Sequence, residues 1–270
     1  MSISNPDVII IGSGPAGAAA AILCALNGLR VVVIEAEQFP RDRPGETLHP
    51  GIEPLLQQLG VTEEVGKAGF LRHEGIWVQW EGKRHFVPFG SEESGQWLGF
   101  QAWRADFDAI LLHRAISLGV DVRQPCRALR PIITHNRVSG VVTSDGQLQS
   151  SFLIDATGRR QWLAQKLNLK TNTYSPRLIA RFGYATGTCP VRDASPAIVA
   201  HNHGWSWTAR VRPNVYQWTQ LSFDNVALKS NWTPEEFQGL KPMGKPKGAD
   251  VTWRAISQPG GPGYFLVGDA

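Results

Sequence analysis

The chain has 270 residues, 42% hydrophobic and 19% charged, with a formal net charge of +4, a length that accommodates one large domain or two intimate ones. So slight a charge, with no run of basic residues, argues against nucleic-acid binding, and the widely spaced Cys24, Cys126 and Cys189 form neither a metal motif nor a disulfide framework. No cationic segment precedes the first apolar run, and the longest apolar run, residues 18–26, is far too short to span a bilayer, so a cytoplasmic protein with no signal peptide and no membrane span is expected.

The chain opens with Asp7-Val8-Ile9-Ile10-Ile11-Gly12-Ser13-Gly14-Pro15-Ala16-Gly17, an apolar strand that enters a Gly-rich turn and then an Ala-rich helix. Gly12 permits the tight turn, Gly14 lets the backbone approach a pyrophosphate, and Gly17 lets helix and strand pack closely. The free N–H groups and the positive end of the helix dipole then face the phosphates, with Ser13, Pro15 and Ala16 completing the turn. A second strand, Val31-Val32-Val33-Ile34, ends at Glu35-Ala36. Glu35 follows Gly17 by 18 positions, where a carboxylate accepts hydrogen bonds from a ribose 2′-hydroxyl. An acid there disfavours a 2′-phosphate, so the site suits FAD or NAD better than NADP.

Residues 38–52 read as a polar loop rich in Pro, Gly and Arg, and residues 51–59 as a helix closed by Gly60. Short strands are expected at 76–80 and 85–87, around a Glu81-Gly82 turn. Residues 105–118 carry Phe107, Ile110, Leu111, Ala115 and Leu118 on one helical face. A strand at 120–122 leads to a meander, 138–142 and 147–154, around an Asp145-Gly146 turn. Residues 178–222 are strand-rich and predict a second sheet, in which Trp205, Trp207 and Trp218 suit either a core or the wall of an aromatic-substrate site. Residues 228–249 read as loop or short helix. Asn231-Trp232-Thr233 matches a glycosylation sequon, which has no consequence in a cytosolic protein.

Two further strand ends carry small residues and an acid. Ser151-Phe152-Leu153-Ile154 runs into Asp155-Ala156-Thr157-Gly158, and Tyr264-Phe265-Leu266-Val267 into Gly268-Asp269. Ligands of open α/β sheets bind outside such carboxyl ends. With the opening fingerprint, these motifs resemble the FAD-dependent aromatic-hydroxylase superfamily over nearly the whole chain. Trp103-Arg104-Ala105-Asp106-Phe107 resembles that family's Arg-led helix start, which implies that Arg104 reaches the phosphate or ribityl region of the flavin. The implied fold class is α/β, a Rossmann-like FAD-binding domain with an inserted β-sheet substrate domain. Residues 1–72, 100–175 and 255–270 would form the first unit, and 73–99 with 176–254 the second. Family members continue beyond this point with a loop and helix over the flavin, so the C-terminal part of the FAD domain is expected to be missing.

Arg43-Pro44-Gly45-Glu46-Thr47-Leu48-His49-Pro50 resembles the Gly-Glu-Ser/Thr loop of the tryptophan-halogenase-like branch, which implies packing by the isoalloxazine ring. The implied cofactor is FAD, held by Gly12, Ser13, Gly14, Pro15, Ala16, Gly17, Glu35, Ala36, Arg43, Glu46, Thr47, Arg104, Asp155, Ala156, Gly158, Gly268 and Asp269. That branch holds halogenases and monooxygenases, including flavoproteins that hydroxylate a tryptophan within a partner polypeptide. Its halogenases use a lysine and a Trp-x-Trp-x-Ile-Pro motif. Residues 70–80 contain no lysine, Arg72 being the nearest cation, and Trp205-Ser206-Trp207-Thr208-Ala209-Arg210 lacks Ile-Pro.

These departures lead to the expectation of an FAD-dependent monooxygenase that hydroxylates an aromatic ring through a flavin C4a-hydroperoxide. Glu46, Thr47 and His49 are the catalytic candidates, and no metal is expected. The partner is an aromatic small molecule or a tryptophan-containing peptide. The chain has no second nucleotide fingerprint, so reductant binds transiently or arrives as flavin reduced by a separate flavin reductase. The alternatives are a flavin-dependent halogenase, a geranylgeranyl-reductase-type enzyme acting on a lipid-like alkene, and a non-catalytic FAD-binding fragment.

Overall fold

The computed structural model describes residues 5–93, 95–223 and 232–270. Asn231 of the sequon lies outside them. Strand Val8–Ile11 is buried on both faces, as a continuous apolar run requires of a parallel strand. It is the third strand of a six-stranded sheet in the order Asp121–Arg123, Val31–Ile34, Val8–Ile11, Phe152–Asp155, Tyr264–Leu266, Gly260–Gly261. The first five run parallel, and Gly260–Gly261 turns back antiparallel at the edge.

The pleat sends alternate residues to two layers. Val8, Ile10, Val31 and Val33 pack with Ala18, Ala21 and Ile22 of helix Pro15–Leu26 and with Phe107, Leu111 and Ala115 of helix Arg104–Ser117. Ile9, Ile11, Val32, Ile34 and Leu153 face the other way, onto Val138 and Val141 of a three-stranded meander, Ala128–Thr134, Arg137–Thr143 and Gly146–Gln149. The stretch expected as one strand at 147–154 is therefore two. Gly146–Gln149 belongs to the meander and Phe152–Asp155 to the parallel sheet, with Ser150 and Ser151 turning between them.

A second, seven-stranded sheet runs in the order Lys241–Asp250, Ile179–Thr186, Val215–Ser222, Gly204–Arg212, Ala197–His201, Gly75–Gln79, His85–Pro88. All its pairings are antiparallel except that of Ala197–His201 with Gly75–Gln79. Of the expectation of loop or short helix at 228–249, residues 228–231 lie outside the described residues, residues 232–240 form a loop with the short turn Glu235–Phe237, and the remainder is corrected: Lys241–Asp250 is a ten-residue edge strand. An edge strand needs no apolar alternation, and it tolerates Pro242 and Pro246, which a central strand would not. Among the described residues no helix is long and apolar enough to cross a membrane, and no cluster of three metal-ligating side chains occurs.

Candidate functional site

A cleft of about 1110 Å³ opens at the carboxyl ends of the parallel strands and is walled opposite by the seven-stranded sheet. Ile11, Ile34, Ala156 and Val267 mark the strand ends on one side, and Ala180, Phe182, Tyr184 and Thr219 face them from the other. Of the residues expected to hold a cofactor, Gly12, Gly14, Pro15, Ala16, Glu35, Ala36, Arg43, Arg104, Ala156, Gly158, Gly268 and Asp269 line this one cleft.

Gly12 has φ +96°, and a Cβ on it would lie 2.6 Å from the Ala156 carbonyl oxygen, so two strand-end loops meet there in backbone contact. Gly17 is buried against Gly12 and does not line the cleft. Gly14 caps helix Pro15–Leu26 with extended backbone and no side chain, and Pro15 occupies the first turn, where its missing N–H is no loss. The remaining first-turn N–H groups point out of the helix end toward the cleft.

Glu35 is buried at this end of the cleft. Its Oε2 accepts from the Ser13 N–H at 3.0 Å and the Ser13 hydroxyl at 2.9 Å, and its Oε1 from the Glu37 N–H at 2.9 Å. Ser13, fully buried, therefore acts through Glu35, not on the cleft directly. A carboxylate has about four acceptor positions, so Glu35 keeps capacity for a further hydroxyl donor on Oε1.

Arg41, which the sequence reading passed over as part of a polar loop, is the central cation. Its side chain is only 10% exposed and stands between Glu35 at 3.7 Å and Asp108 at 3.8 Å, with its guanidinium 4.6 Å from the centre of the Phe39 ring. Its Nε is buried without a hydrogen-bond partner, and its Nη2 lies 3.7 Å from where a Gly14 Cβ would be. Burial lowers its pKa from the ordinary value. Arg104, by contrast, is fully engaged: it grips Asp108 with Nε at 2.8 Å and Nη2 at 2.9 Å, and its Nη1 donates to the Pro44 carbonyl at 2.9 Å. It pins the 43–46 loop to helix Arg104–Ser117. Arg43 pairs with Glu37 at 2.5 Å on the rim.

The three catalytic candidates part company. Glu46 is 3% exposed, accepts the Gly45 N–H on Oε2 at 2.9 Å, and receives the Tyr184 hydroxyl on Oε1 at 2.5 Å. Burial pushes its carboxyl above the usual range. The Thr47 hydroxyl donates to Gln101 Oε1 at 2.9 Å, behind the loop. His49 is not part of the cleft lining: its Nδ1 accepts from the Gly51 N–H, and its ring packs edge-on to Phe89, 4.9 Å between centres.

Asp155 is also not a lining residue. It is fully buried, and its oxygens accept from the Thr157 N–H at 2.9 Å and the Leu163 N–H at 2.6 Å. It fastens the turn that presents Ala156, Thr157 and Gly158. Gly268, at φ +69° two residues beyond strand Tyr264–Leu266, packs against the Ala16 methyl.

The three tryptophans do not form one wall. Register pairs Trp207 with Thr219 and Thr219 with Phe182, so Trp207 shares the cleft-side face, as does Trp205 opposite Leu221. Trp218 is on the opposite face, packed edge-on to Trp232. Arg72 is held away from the cleft by Glu53, the Leu98 and Gly99 carbonyls, and the Phe100 ring. The lining residues missed by sequence reading include Arg41, Thr157, Phe182, Tyr184 and Lys247. Of these five, only Thr157 carried a signal, as a member of the Asp155–Gly158 motif.

The sequence model of a family described as an FAD binding domain matches residues 5–225. The chain belongs to this FAD-binding family, within the FAD-dependent monooxygenase and halogenase superfamily. It is similar to the tryptophan 2-halogenase of Chondromyces crocatus, 30% identical over 99% of this chain and 56% of that one. It is similar also to the 1H-pyrrole-2-carbonyl-(peptidyl-carrier protein) brominase of Pseudoalteromonas luteoviolacea, 28% identical over 98% of this chain and 70% of that one. The solved structure of the flavin-dependent brominase Bmp2 superposes with a TM-score of 0.86 at 26% identity, covering 98% of this chain and 72% of that one. The chain thus spans between about half and three quarters of these relatives.

FAD is the cofactor of this fold, and this FAD-binding chain has the chemistry to take it. A buried guanidinium Nε without a partner stands beside a glycine whose missing Cβ leaves room for a phosphate, in front of a helix N-terminus. Glu35 Oε1, which accepts one N–H, has a remaining acceptor position for a ribose hydroxyl.

Proposed function

We propose that this chain belongs to a flavin-dependent halogenase that acts on an electron-rich aromatic ring of the indole or pyrrole class. The observation that carries this reading is likeness to halogenases over nearly the whole chain, including a tryptophan halogenase and a pyrrole brominase. That observation outweighs the sequence argument for hydroxylation, which rested on one absent lysine and one altered tryptophan motif. Hydroxylation stands as the second reading, because Arg72, the nearest cation to the expected lysine, is tied to Glu53 and two carbonyls and cannot supply a free amine.

In this reading the bound, reduced flavin supplies the oxidising equivalent from oxygen. The segments 1–72, 100–175 and 255–270 hold it, and 73–99 with 176–254 form the substrate side. The helix end at Gly14, Pro15 and Ala16, together with Arg41, holds the pyrophosphate. Glu35 orients the ribose, while Ala156, Gly158, Gly268 and Asp269 lie along the ribityl chain. Arg104 fixes Pro44, and so sets where Gly45, Glu46 and Thr47 stand. Phe182 and Trp207 offer apolar surface to an aromatic ring and exclude water from it. A separate flavin reductase supplies the reduced cofactor.

The test is to give the purified chain FAD, a flavin reductase with NADH, oxygen and bromide, with tryptophan, pyrrole or tryptophan-containing peptides as substrates. A paired bromine isotope pattern in the product mass supports halogenation. A gain of one oxygen with no bromine replaces it with hydroxylation. A gain of two hydrogens replaces both with a reductase.

A further inference from the structure

We propose that Tyr184 and Glu46 form a proton relay into the FAD cleft, in which a proton on Glu46 turns the Tyr184 hydroxyl from the carboxylate toward the cleft. The proposal rests on the FAD reading for the identity of what the cleft holds, but the relay itself is built from side chains of this chain.

Tyr184 stands on strand Ile179–Thr186 in line with Ala180 and Phe182, all three of which line the cleft. Its hydroxyl crosses to the 43–46 loop and donates to Glu46 Oε1 at 2.5 Å, a bond between residues 138 positions apart. Its ring packs edge-on to Trp103, 5.5 Å between centres. The two groups are thus held together from opposite walls.

The hydrogen-bond pattern allows two arrangements. With Glu46 ionised, Oε1 accepts from Tyr184 and Oε2 from the Gly45 N–H. A backbone N–H cannot accept, so a proton on Oε2 would find no acceptor in Gly45, whereas a proton on Oε1 can be donated to the phenol oxygen. It settles on Oε1. The carboxyl then donates to the phenol oxygen, and the phenol hydrogen is released to the space its ring lines. The proton count follows directly. Tyr184 gives its hydroxyl proton to an oxygen or nitrogen of the reacting species in the cleft, Glu46 passes its proton to the phenol oxygen, and Glu46 is left as the carboxylate. No electrons move, and solvent reprotonates Glu46.

The surrounding charges fit. Arg104 is nearby, but it is held by Asp108 and Pro44 and makes no hydrogen bond to Glu46. Asp42 faces Tyr184 and opposes its ionisation. Burial favours the protonated form of both groups, so the pair carries its protons to higher pH than an ordinary carboxylate would.

The test compares the unaltered chain with Tyr184→Phe and Glu46→Gln. In the chain without flavin, infrared titration is expected to show a protonated-carboxyl band that persists above the usual carboxylate range. That band is absent in Glu46→Gln and shifted in frequency in Tyr184→Phe. With FAD, product formation is expected to fall as pH rises through the titration of that band. Glu46→Gln loses this limb, and Tyr184→Phe slows turnover on its acidic side by about 100-fold, within the range for a lost general acid, while FAD affinity changes less than about two-fold. A band unmoved by Tyr184→Phe, or a pH limb retained in Glu46→Gln, overturns the relay. Failure of the unaltered chain to bind FAD overturns the functional reading instead, and the flavin-free titration still decides whether the pair shares its proton.

Discussion

Gly17 lies against the carbonyl oxygen of Gly12 so closely that a Cβ on it would stand 1.9 Å away. Gly12 cannot retreat, because it is packed in turn on the Ala156 carbonyl. Gly14, between them, is different. Its backbone is extended, and the nearest atom to its missing Cβ is Arg41 Nη2 at 3.7 Å, an ordinary contact. Two of the three fingerprint glycines are therefore required by the packing of the fold, and Gly14 is the one left open to the cleft.

Gly17→Ala is accordingly expected to destabilise the chain by about 3 kcal/mol, the upper part of the usual range for overpacking. Gly14→Ala is expected to fold within about 0.5 kcal/mol of the parent and yet to weaken FAD binding at least about ten-fold, because its methyl occupies the pyrophosphate's space. Urea melts and flavin titrations separate the two. Equal loss of stability in both variants would refute the division of labour.

Arg41→Gln is expected to weaken FAD binding by about 10- to 100-fold, the equivalent of about 1.4–2.8 kcal/mol. The guanidinium is buried and already charge-compensated by Glu35 and Asp108, so its unpartnered Nε is available to a phosphate. Arg43→Gln should matter less, below about 1 kcal/mol, because Arg43 is 41% exposed and paired with Glu37 in solvent. Raising the salt should erode the Arg43 contribution before that of Arg41. Flavin titrations at two ionic strengths check both.

The contrast between these residues also explains what the sequence disclosed. The Gly12–Gly17 turn and Glu35 were legible because a nucleotide site of this kind is built from contiguous chain, with the strand, turn, helix and acid at fixed spacing. Arg41 was not, because its partners Glu35 and Asp108 come from different elements and its loop has no periodicity. Tyr184 was hidden for the same reason, since nothing near residue 184 announces a carboxylate at residue 46. The edge strand Lys241–Asp250 lacked the apolar alternation that marks a half-buried strand, because it is mostly exposed and held by backbone pairing to Ile179–Thr186. Asp155 does stand at a strand end, as the sequence indicates, but its carboxylate turns inward to the Thr157 and Leu163 N–H groups, which no sequence pattern discloses.

Glu46 should leave a signature in the pH dependence of stability. Burial raises its folded pKa above the unfolded value of 4.5. Between those two values the folded state binds more protons than the unfolded one, so stability falls as pH rises through the window. Glu46→Gln removes that dependence and leaves a constant offset from its altered hydrogen bonds. The stability of the parent relative to Glu46→Gln is therefore expected to be greatest below pH 4.5, to decline as pH rises through the raised folded pKa, and to level off above it. Urea midpoints across that range measure the decline, and a difference that grows with pH would refute the assignment.

Asp155 separates a turn-holding role from a ligand-holding one. Its oxygens accept two backbone N–H groups, from Thr157 and Leu163, and the Thr157 hydroxyl accepts a third from Trp162. Asp155→Ala orphans two of these donors in a fully buried place, at about 1–3 kcal/mol each, so a total loss of about 3 kcal/mol is expected. Asp155→Asn keeps one acceptor oxygen and also removes a charge that burial disfavours, so its loss should be about half as large. Once folded, Asp155→Asn should bind FAD within about three-fold of the parent, under about 0.7 kcal/mol, because the carboxylate faces the turn and not the cleft. The reverse result, an intact melt with FAD affinity lost, would place Asp155 on the ribityl chain and remove it from the turn.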